Sequence, residues 1–215
     1  MSDRAAREAV IAAARRTVAL GLTHGTSGNV SLRDGPGLLI TPTALPYDGL
    51  VPADIVRLDA EGRPEQGQRA PSTEWRIHRD IYLARPELGA VVHAHPPWAT
   101  AIACLRKDLP AVHYMVALAG GSSVRCAAYA TFGTAELSAA ALAALDGRKA
   151  CLLANHGLVA AGADLDEALR VAEETERVAQ VYCLALAAGT PCLLDDAEMA
   201  RVVERFRSYG RRPDN

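Results

Sequence analysis

Lysine is almost absent from this 215-residue chain; Lys107 and Lys149 are its two examples, and every other basic side chain except histidine is arginine. Chemistry through a lysine Schiff base therefore has two candidates, each beside an arginine in a loop-like setting that disfavours the desolvation such a lysine needs. Cysteine is sparse and scattered: Cys104, Cys126, Cys151, Cys183 and Cys192 form no C-x-x-C pair. That excludes a thiolate-closed metal site by spacing and reads as reduced core thiols of a cytoplasmic protein. No apolar run reaches membrane-spanning length, and no apolar signal stretch precedes the first amphipathic segment. No membrane is expected as partner. The formal net charge of -2 likewise gives no electrostatic reason to expect nucleic acid.

What is present is ordinary for one sizeable core: 50% apolar and 22% charged residues, with strands and helices intermixed. A helix is expected from Arg4 to Leu20, stopped by Gly21. A hairpin follows, Val30 to Arg33 and Leu38 to Thr41 around Asp34-Gly35-Pro36-Gly37. Further strands are read at 55–58, 89–95, 115–118, 124–126 and 150–153. Helices are read from Ser72 or Thr73, from Trp98 to Leu105 and from Thr134 to Leu145. Two more begin at the cap pairs Asp164/Glu167 and Asp195/Glu198 and stop at Gly189 and Gly210. The pattern predicts a single α/β domain over 1–210, a central mostly antiparallel or mixed sheet flanked by helices, with 211–215 a loose tail.

His93 and His95 lie two apart on an expected strand, so both imidazoles leave the same face at its end, before Pro96-Pro97. His156 also follows an apolar strand directly, with Gly157 beside it. Three imidazoles with an open fourth position is the arrangement of a catalytic zinc. Glu74, placed in the first turn of its helix, is either a partner of the helix dipole or a carboxylate poised for acid–base work near the metal. His78, one turn on, is a competing ligand or a structural partner; His24 and His113 read as structural. On spacing alone the constellation fits a zinc enzyme or ordinary core and turn histidines.

Gly25-Thr26-Ser27-Gly28-Asn29 packs amides and hydroxyls into a loop of the kind that nests phosphate. It is no Walker A loop, since no lysine follows, and no dinucleotide fingerprint, since a hairpin follows it. Thr41-Pro42-Thr43 and Ser72-Thr73 add hydroxyls, the latter before a helix. Each alone is equally turn chemistry.

Together and in this order these residues resemble the class II aldolase/adducin family. The resemblance runs through Gly25-Thr26-x-Gly28-Asn29-Val30-Ser31, Ile40-Thr41-Pro42-Thr43, Pro71-Ser72-x-Glu74-Trp75-Arg76 and Val91-Val92-His93-x-His95. It continues through His113-Tyr114-Met115, Tyr129-Ala130-Thr131-Phe132-Gly133-Thr134 and His156-Gly157-Leu158. It is strongest toward the family's ketose 1-phosphate aldolases, with L-fuculose 1-phosphate the nearest analogy. The resemblance implies one zinc per subunit on His93, His95 and His156, with Glu74 as mobile ligand and acid/base. It implies a phosphate and ketone set of Thr26, Gly28, Asn29, Thr43, Ser72 and Thr73, and a tail pocket shaped by Phe132 and Tyr209. Tyr114 and Tyr209 resemble tyrosines that reach a neighbouring subunit's site in a homotetramer, Tyr114 as proton partner of the carbon-4 hydroxyl.

The activity so implied is cleavage of a short ketose 1-phosphate to dihydroxyacetone phosphate and an aldehyde. The ketose is L-fuculose 1-phosphate or a 5-deoxy- or 5-methylthio-pentulose 1-phosphate. A Lewis-acidic metal suits that chemistry better than either lysine. A sugar-phosphate 4-epimerase, a thioribulose-phosphate dehydratase and a metal-free adducin-like binding module are the competing readings. Glutamate rather than aspartate at position 74 favours the lyase over the epimerase, and the three histidines disfavour the module. Two departures stand out: Ala44 replaces a family glycine and is left outside the site, and Asn155 stands where relatives often have histidine.

Overall fold

The computed structural model describes residues 2–208; Tyr209, Gly210 and the 211–215 tail fall outside them. One seven-stranded sheet runs through the molecule in the order β3-β2-β1-β4-β7-β6-β5. Its strands are β1 (Asn29–Asp34), β2 (Gly37–Ile40), β3 (Val56–Leu58), β4 (Ala90–Ala94), β5 (Arg125–Ala127), β6 (Ala150–Leu153) and β7 (Gly157–Gly162). Every pairing is antiparallel except β5 with β6. The expected α/β sheet, mostly antiparallel and mixed, is what the chain forms.

Side chains that alternate along the strands feed two cores. Val30, Leu39, Val92, Leu152 and Leu158 pack on one face with α1 (Asp3–Ala19), α3 (Pro97–Cys104) and α5 (Leu165–Ala188). Ile40, Val91, Cys151, Leu153 and Val159 pack on the other with α2 (Trp75–Ala84) and α4 (Ala135–Ala144). A last helix, α6 (Asp196–Ser208), lies beside the first core through Met199. Burial of each large aliphatic side chain contributes roughly 1.5–3 kcal/mol.

Two expectations are corrected, and one strand is added that the sequence reading did not contain. The segment Tyr114–Ala119 is a 3-10 helix and not a strand: the His113 ring caps it by accepting from the Met115 N–H, and left-handed Gly120 ends it. Glu74 precedes α2 rather than lying in its first turn, at φ -100° and ψ 13°. The Ser72 Oγ accepts from its N–H at 3.3 Å, so Ser72-Thr73-Glu74 forms a turn of its own. Finally, β7 is a central strand that the sequence pattern did not disclose, because Gly157-Leu158-Val159-Ala160-Ala161-Gly162 is buried on both faces and shows no alternation.

Candidate active site

The strand register assembles the site. Asn29, first in β1, lies opposite His93 in β4, and His93 lies opposite Val159 in β7. His95 sits one residue past β4, and His156 occupies the tight turn joining β6 to β7. Gly157 is required there: a Cβ would come within 2.5 Å of the Ala94 carbonyl and 2.6 Å of the His95 ring. Gly28, at φ +80°, presses its backbone against the His93 carbonyl, where a Cβ would approach to 2.7 Å. The three imidazoles converge, their ligand atoms all within 4.8 Å of one another.

Glu74 closes the group from the α2 side. Its Oε2 lies 3.1 Å from His93 Nε2, and its Oε1 lies 3.3 Å from His156 Nε2. A chain of hydrogen bonds with a fixed direction stands behind it. The ionised carboxylate accepts from Asn29 Nδ2 at 3.1 Å. That fixes the Asn29 amide, whose Oδ1 then accepts from His78 Nε2 at 2.5 Å. His78 Nδ1, left as an acceptor, receives the Ser31 hydroxyl at 2.7 Å, and Ser31 Oγ receives the Tyr82 hydroxyl at 2.7 Å. Asn29, Ser31, His78 and Tyr82 are all buried. His78 is thus a structural partner that orients Asn29.

Charge follows from the same contacts. Burial opposes ionisation of Glu74, but His93, by charge and hydrogen bond, with His156 and Asn29 behind it, outweighs burial and holds the carboxyl well below the usual carboxylate range. Burial also opposes the charged form of His93, yet Glu74 and the Leu158 carbonyl raise its pKa. Burial pushes His95 and His156 down to about 4 each, aided by the neighbouring His93 charge. Burial pushes His78 to about 3.

A divalent cation fits this donor set. In the neutral ring His93 Nδ1 donates to the Leu158 carbonyl at 2.9 Å, and Nε2 is then a lone pair aimed into the cluster. His95 Nε2 stands 3.0 Å from it, so the two facing ring nitrogens of neutral histidines share at most one proton between them. Glu74 Oε1 is buried without a hydrogen-bond partner. Close approach of unpaired lone pairs in a buried site is costly unless a cation satisfies them. Imidazole and carboxylate donors suit zinc and several other divalent ions.

The cluster forms one wall of a cavity of about 360 Å³. Thr26, Ser27, Gly28, Asn29, Thr43, Ser72 and Thr73 line it alongside Glu74, His95 and His156. Phe132, 64% exposed, stands at the same cavity, held there because Gly133 packs its backbone against the Thr73 carbonyl. Ala44, expected outside the site, is part of the wall, and its φ of 55° explains why a glycine suits the position. Tyr129 and Asn155 also line the cavity and were not among the expected site residues. Asn155 adopts φ 54° in the tight turn, and its one signal in the sequence is that it directly precedes a candidate ligand.

Tyr114 does not join this cavity within its own chain; it is 49% exposed and stacks on Phe206, ring centroids 6.4 Å apart. His24 is exposed, its carbonyl accepting from Ser27 Oγ at 2.8 Å. Neither lysine lines the cavity, and Lys149 is paired with Glu167 at 2.6 Å. Among the described residues no helix is long and apolar enough to cross a membrane.

The sequence profile of the Class II Aldolase and Adducin N-terminal domain matches residues 8–183. A 5-methylthioribulose-1-phosphate/5-deoxyribulose-1-phosphate aldolase of Rhodospirillum rubrum is 53% identical over 206 residues, 96% of this chain and 93% of that protein. An L-fuculose phosphate aldolase of Escherichia coli (strain K12) is 50% identical over 194 residues, 90% of each chain. Among solved structures, an L-fuculose 1-phosphate aldolase superposes with a TM-score of 0.93 at 42% identity, covering 96% of this chain and 98% of the other. These relatives are aldolases and hence lyases, in line with the expected enzyme class. The chain belongs to the class II aldolase and adducin family.

Proposed function

We propose that this chain is a zinc-dependent aldolase that cleaves a short ketose 1-phosphate, L-fuculose 1-phosphate or a 5-deoxy- or 5-methylthio-pentulose 1-phosphate, into dihydroxyacetone phosphate and an aldehyde. The observation that carries the reading is a single cavity with His95, His156 and Glu74 on one side and the hydroxyl-rich Thr26–Asn29 loop, Thr43, Ser72 and Thr73 on the other. His93, His95 and His156 would hold the metal, with Glu74 as the group that yields its place to substrate. When bound, the ion supplies Lewis acidity to the ketone and its neighbouring hydroxyl.

The chain's own residues do the rest. The Thr26–Asn29 loop, Thr43, Ser72 and Thr73 bind the phosphate through amides and hydroxyls. Asn29 orients Glu74, its amide committed to the carboxylate on one side and to His78 on the other. Glu74 rests ionised; in the condensation direction it takes the proton from the carbon that becomes carbon-3 and releases it to water, and in cleavage it first takes up a proton from water and then delivers it to carbon-3. Phe132 borders the space left for the aldehyde. Tyr114 is exposed and stands outside its own cavity, which suits a residue completing a neighbouring subunit's site, with the carbon-4 hydroxyl as its proton partner. Tyr209, which lies outside the described residues, is proposed for a neighbouring subunit's site as well, and the assembly is a homotetramer.

The test is a coupled assay of triose phosphate release from L-fuculose 1-phosphate and 5-deoxyribulose 1-phosphate, with and without chelator. Release that a chelator abolishes and zinc restores is expected, and the ratio of kcat/KM values names the preferred tail. A folded, zinc-loaded protein that releases no triose phosphate from either overturns the assignment.

A further inference from the structure

The strand that carries His93 and His95 ends in Pro96-Pro97, and α3 begins at once. This local sequence leaves the start of α3 without a cap of its own. Pro96 has no side-chain oxygen to offer, and no local side chain accepts from the first turn. The freed N–H groups of Trp98 and Ala99 are answered from elsewhere in the chain. Glu176, in the middle of α5, places Oε1 2.9 Å from Trp98 N and Oε2 2.7 Å from Ala99 N. Both oxygens of one carboxylate thus clamp one helix start, where the helix dipole also favours negative charge.

The far end of α3 is tied to the second histidine turn. The Ala103 carbonyl accepts from Asn155 N at 3.0 Å, and Arg106, just past the helix at φ 53°, donates from Nε to Asn155 Oδ1 at 2.8 Å. Asn155 directly precedes His156, whose own N–H donates to the Leu153 carbonyl at 3.0 Å. An eight-residue helix that starts two residues after His95 is therefore bonded at its far end to the residue before His156. Its position against the rest of the fold is pinned by Glu176.

We infer that Glu176 is a positioning residue for the candidate metal centre: by clamping the start of α3 it sets the separation of His95 and His156, without touching either. The inference rests on the metal reading of the three histidines. A carboxylate that only capped a helix would contribute to stability and leave metal affinity alone. One that sets ligand geometry acts like the outer-shell partners of metal ligands, whose loss typically weakens binding about 10–100-fold.

The experiment is zinc affinity of the full chain by competition with a chromogenic chelator, alongside thermal unfolding, for wild type, Glu176→Ala, Glu176→Gln and Glu167→Ala. Glu167 is the control: another α5 carboxylate, it accepts from Ala163 N at 2.7 Å and pairs with Lys149, neither of them a residue of α3. Expected are a loss of roughly 10–100-fold in zinc affinity for Glu176→Ala, a smaller loss for Glu176→Gln, which keeps one acceptor, and wild-type affinity for Glu167→Ala. Should Glu176→Ala fail to fold, the Gln variant against the Glu167 control decides. Wild-type zinc affinity in both Glu176 variants, whatever their melting temperatures, overturns the inference; so does an equal loss in Glu167→Ala. A wild-type protein that binds no zinc overturns the metal reading and this inference together, a result distinct from the others.

Discussion

The two sides of the cavity are built on different principles. On the histidine side, Asn29, Glu74, His78 and His93 are buried and linked, each polar atom but one answered by another side chain or a backbone group. On the open side, Phe132 is 64% and Tyr129 55% exposed, large rings with water on one face. The buried side is finished by the fold of one chain, and its geometry is over-determined. The open side presents apolar surface and leaves Tyr114 outside, the arrangement expected where substrate tail and a neighbouring subunit complete the wall. On the proposed function, chemistry common to related ketose phosphates would belong on the first side and selectivity on the second.

The largest effect should come from the centre of the buried side. Glu74→Gln preserves shape but removes the proposed base, and well-placed acid–base groups contribute about 10²–10⁴-fold. The variant is expected to lose that much kcat while retaining its zinc content and fold. Near-wild-type turnover would break the division, since chemistry would then not depend on the buried carboxylate.

The next contrast sets one substitution on each side. His78→Leu strands the Asn29 Oδ1 in a buried site, at a cost of about 1–3 kcal/mol, and releases the amide that orients Glu74. Both stability in denaturant and kcat should fall. Phe132→Ala, at an exposed position, should leave stability within about 0.5 kcal/mol and change the ratio of kcat/KM between fuculose and deoxyribulose phosphates. A Phe132 variant with reduced kcat for both substrates and an unchanged ratio would contradict the division of labour.

How much of this was legible in the sequence differs between the same two sides. The convergence of His93 with His95 followed from an H-x-H on an apolar run, because strand periodicity is local. Ser31 as the link between His78 and Tyr82 did not, since those two contacts join residues 47 and 51 positions apart, from β1 to α2. The strand β7 was hidden because alanine and glycine buried on both faces leave no alternation to read. The stretch after His113 read as a strand because its apolar run is short, and short apolar runs are ambiguous. The capping ring of His113 decides it for the 3-10 helix. Glu176 carried no signal at all; it answers N–H groups freed by two prolines nearly eighty positions away, on another helix.

Acid should weaken the buried side in a way that His78 explains. Burial holds its folded pKa at about 3, below the ordinary value of 6.5. Between those values the unfolded chain binds a proton that the folded one cannot. Stability is therefore full above about pH 6.5 and declines as pH falls toward 3, by up to roughly 1.4 kcal/mol per pH unit for this group. Denaturant unfolding at a series of pH values should show a shallower acid slope for His78→Leu than for wild type. Identical slopes would place the acid sensitivity in other groups.

The smallest effect tests the wall between the two sides. Ala44 adopts φ 55°, a left-handed conformation that costs a residue with a Cβ about 1–2 kcal/mol. Glycine relieves that strain but gains more freedom in the unfolded chain, offsetting roughly 0.5–1 kcal/mol of it. Ala44→Gly should therefore stabilise by no more than about 1 kcal/mol, which in a chain of this size raises Tm by roughly 2–4 °C at most. Because the methyl group faces the cavity wall beside Thr43, KM should move more than kcat. A lower Tm would mean that the methyl packs well enough to outweigh its backbone strain, and that the wall beside Thr43 is as closely built as the histidine side.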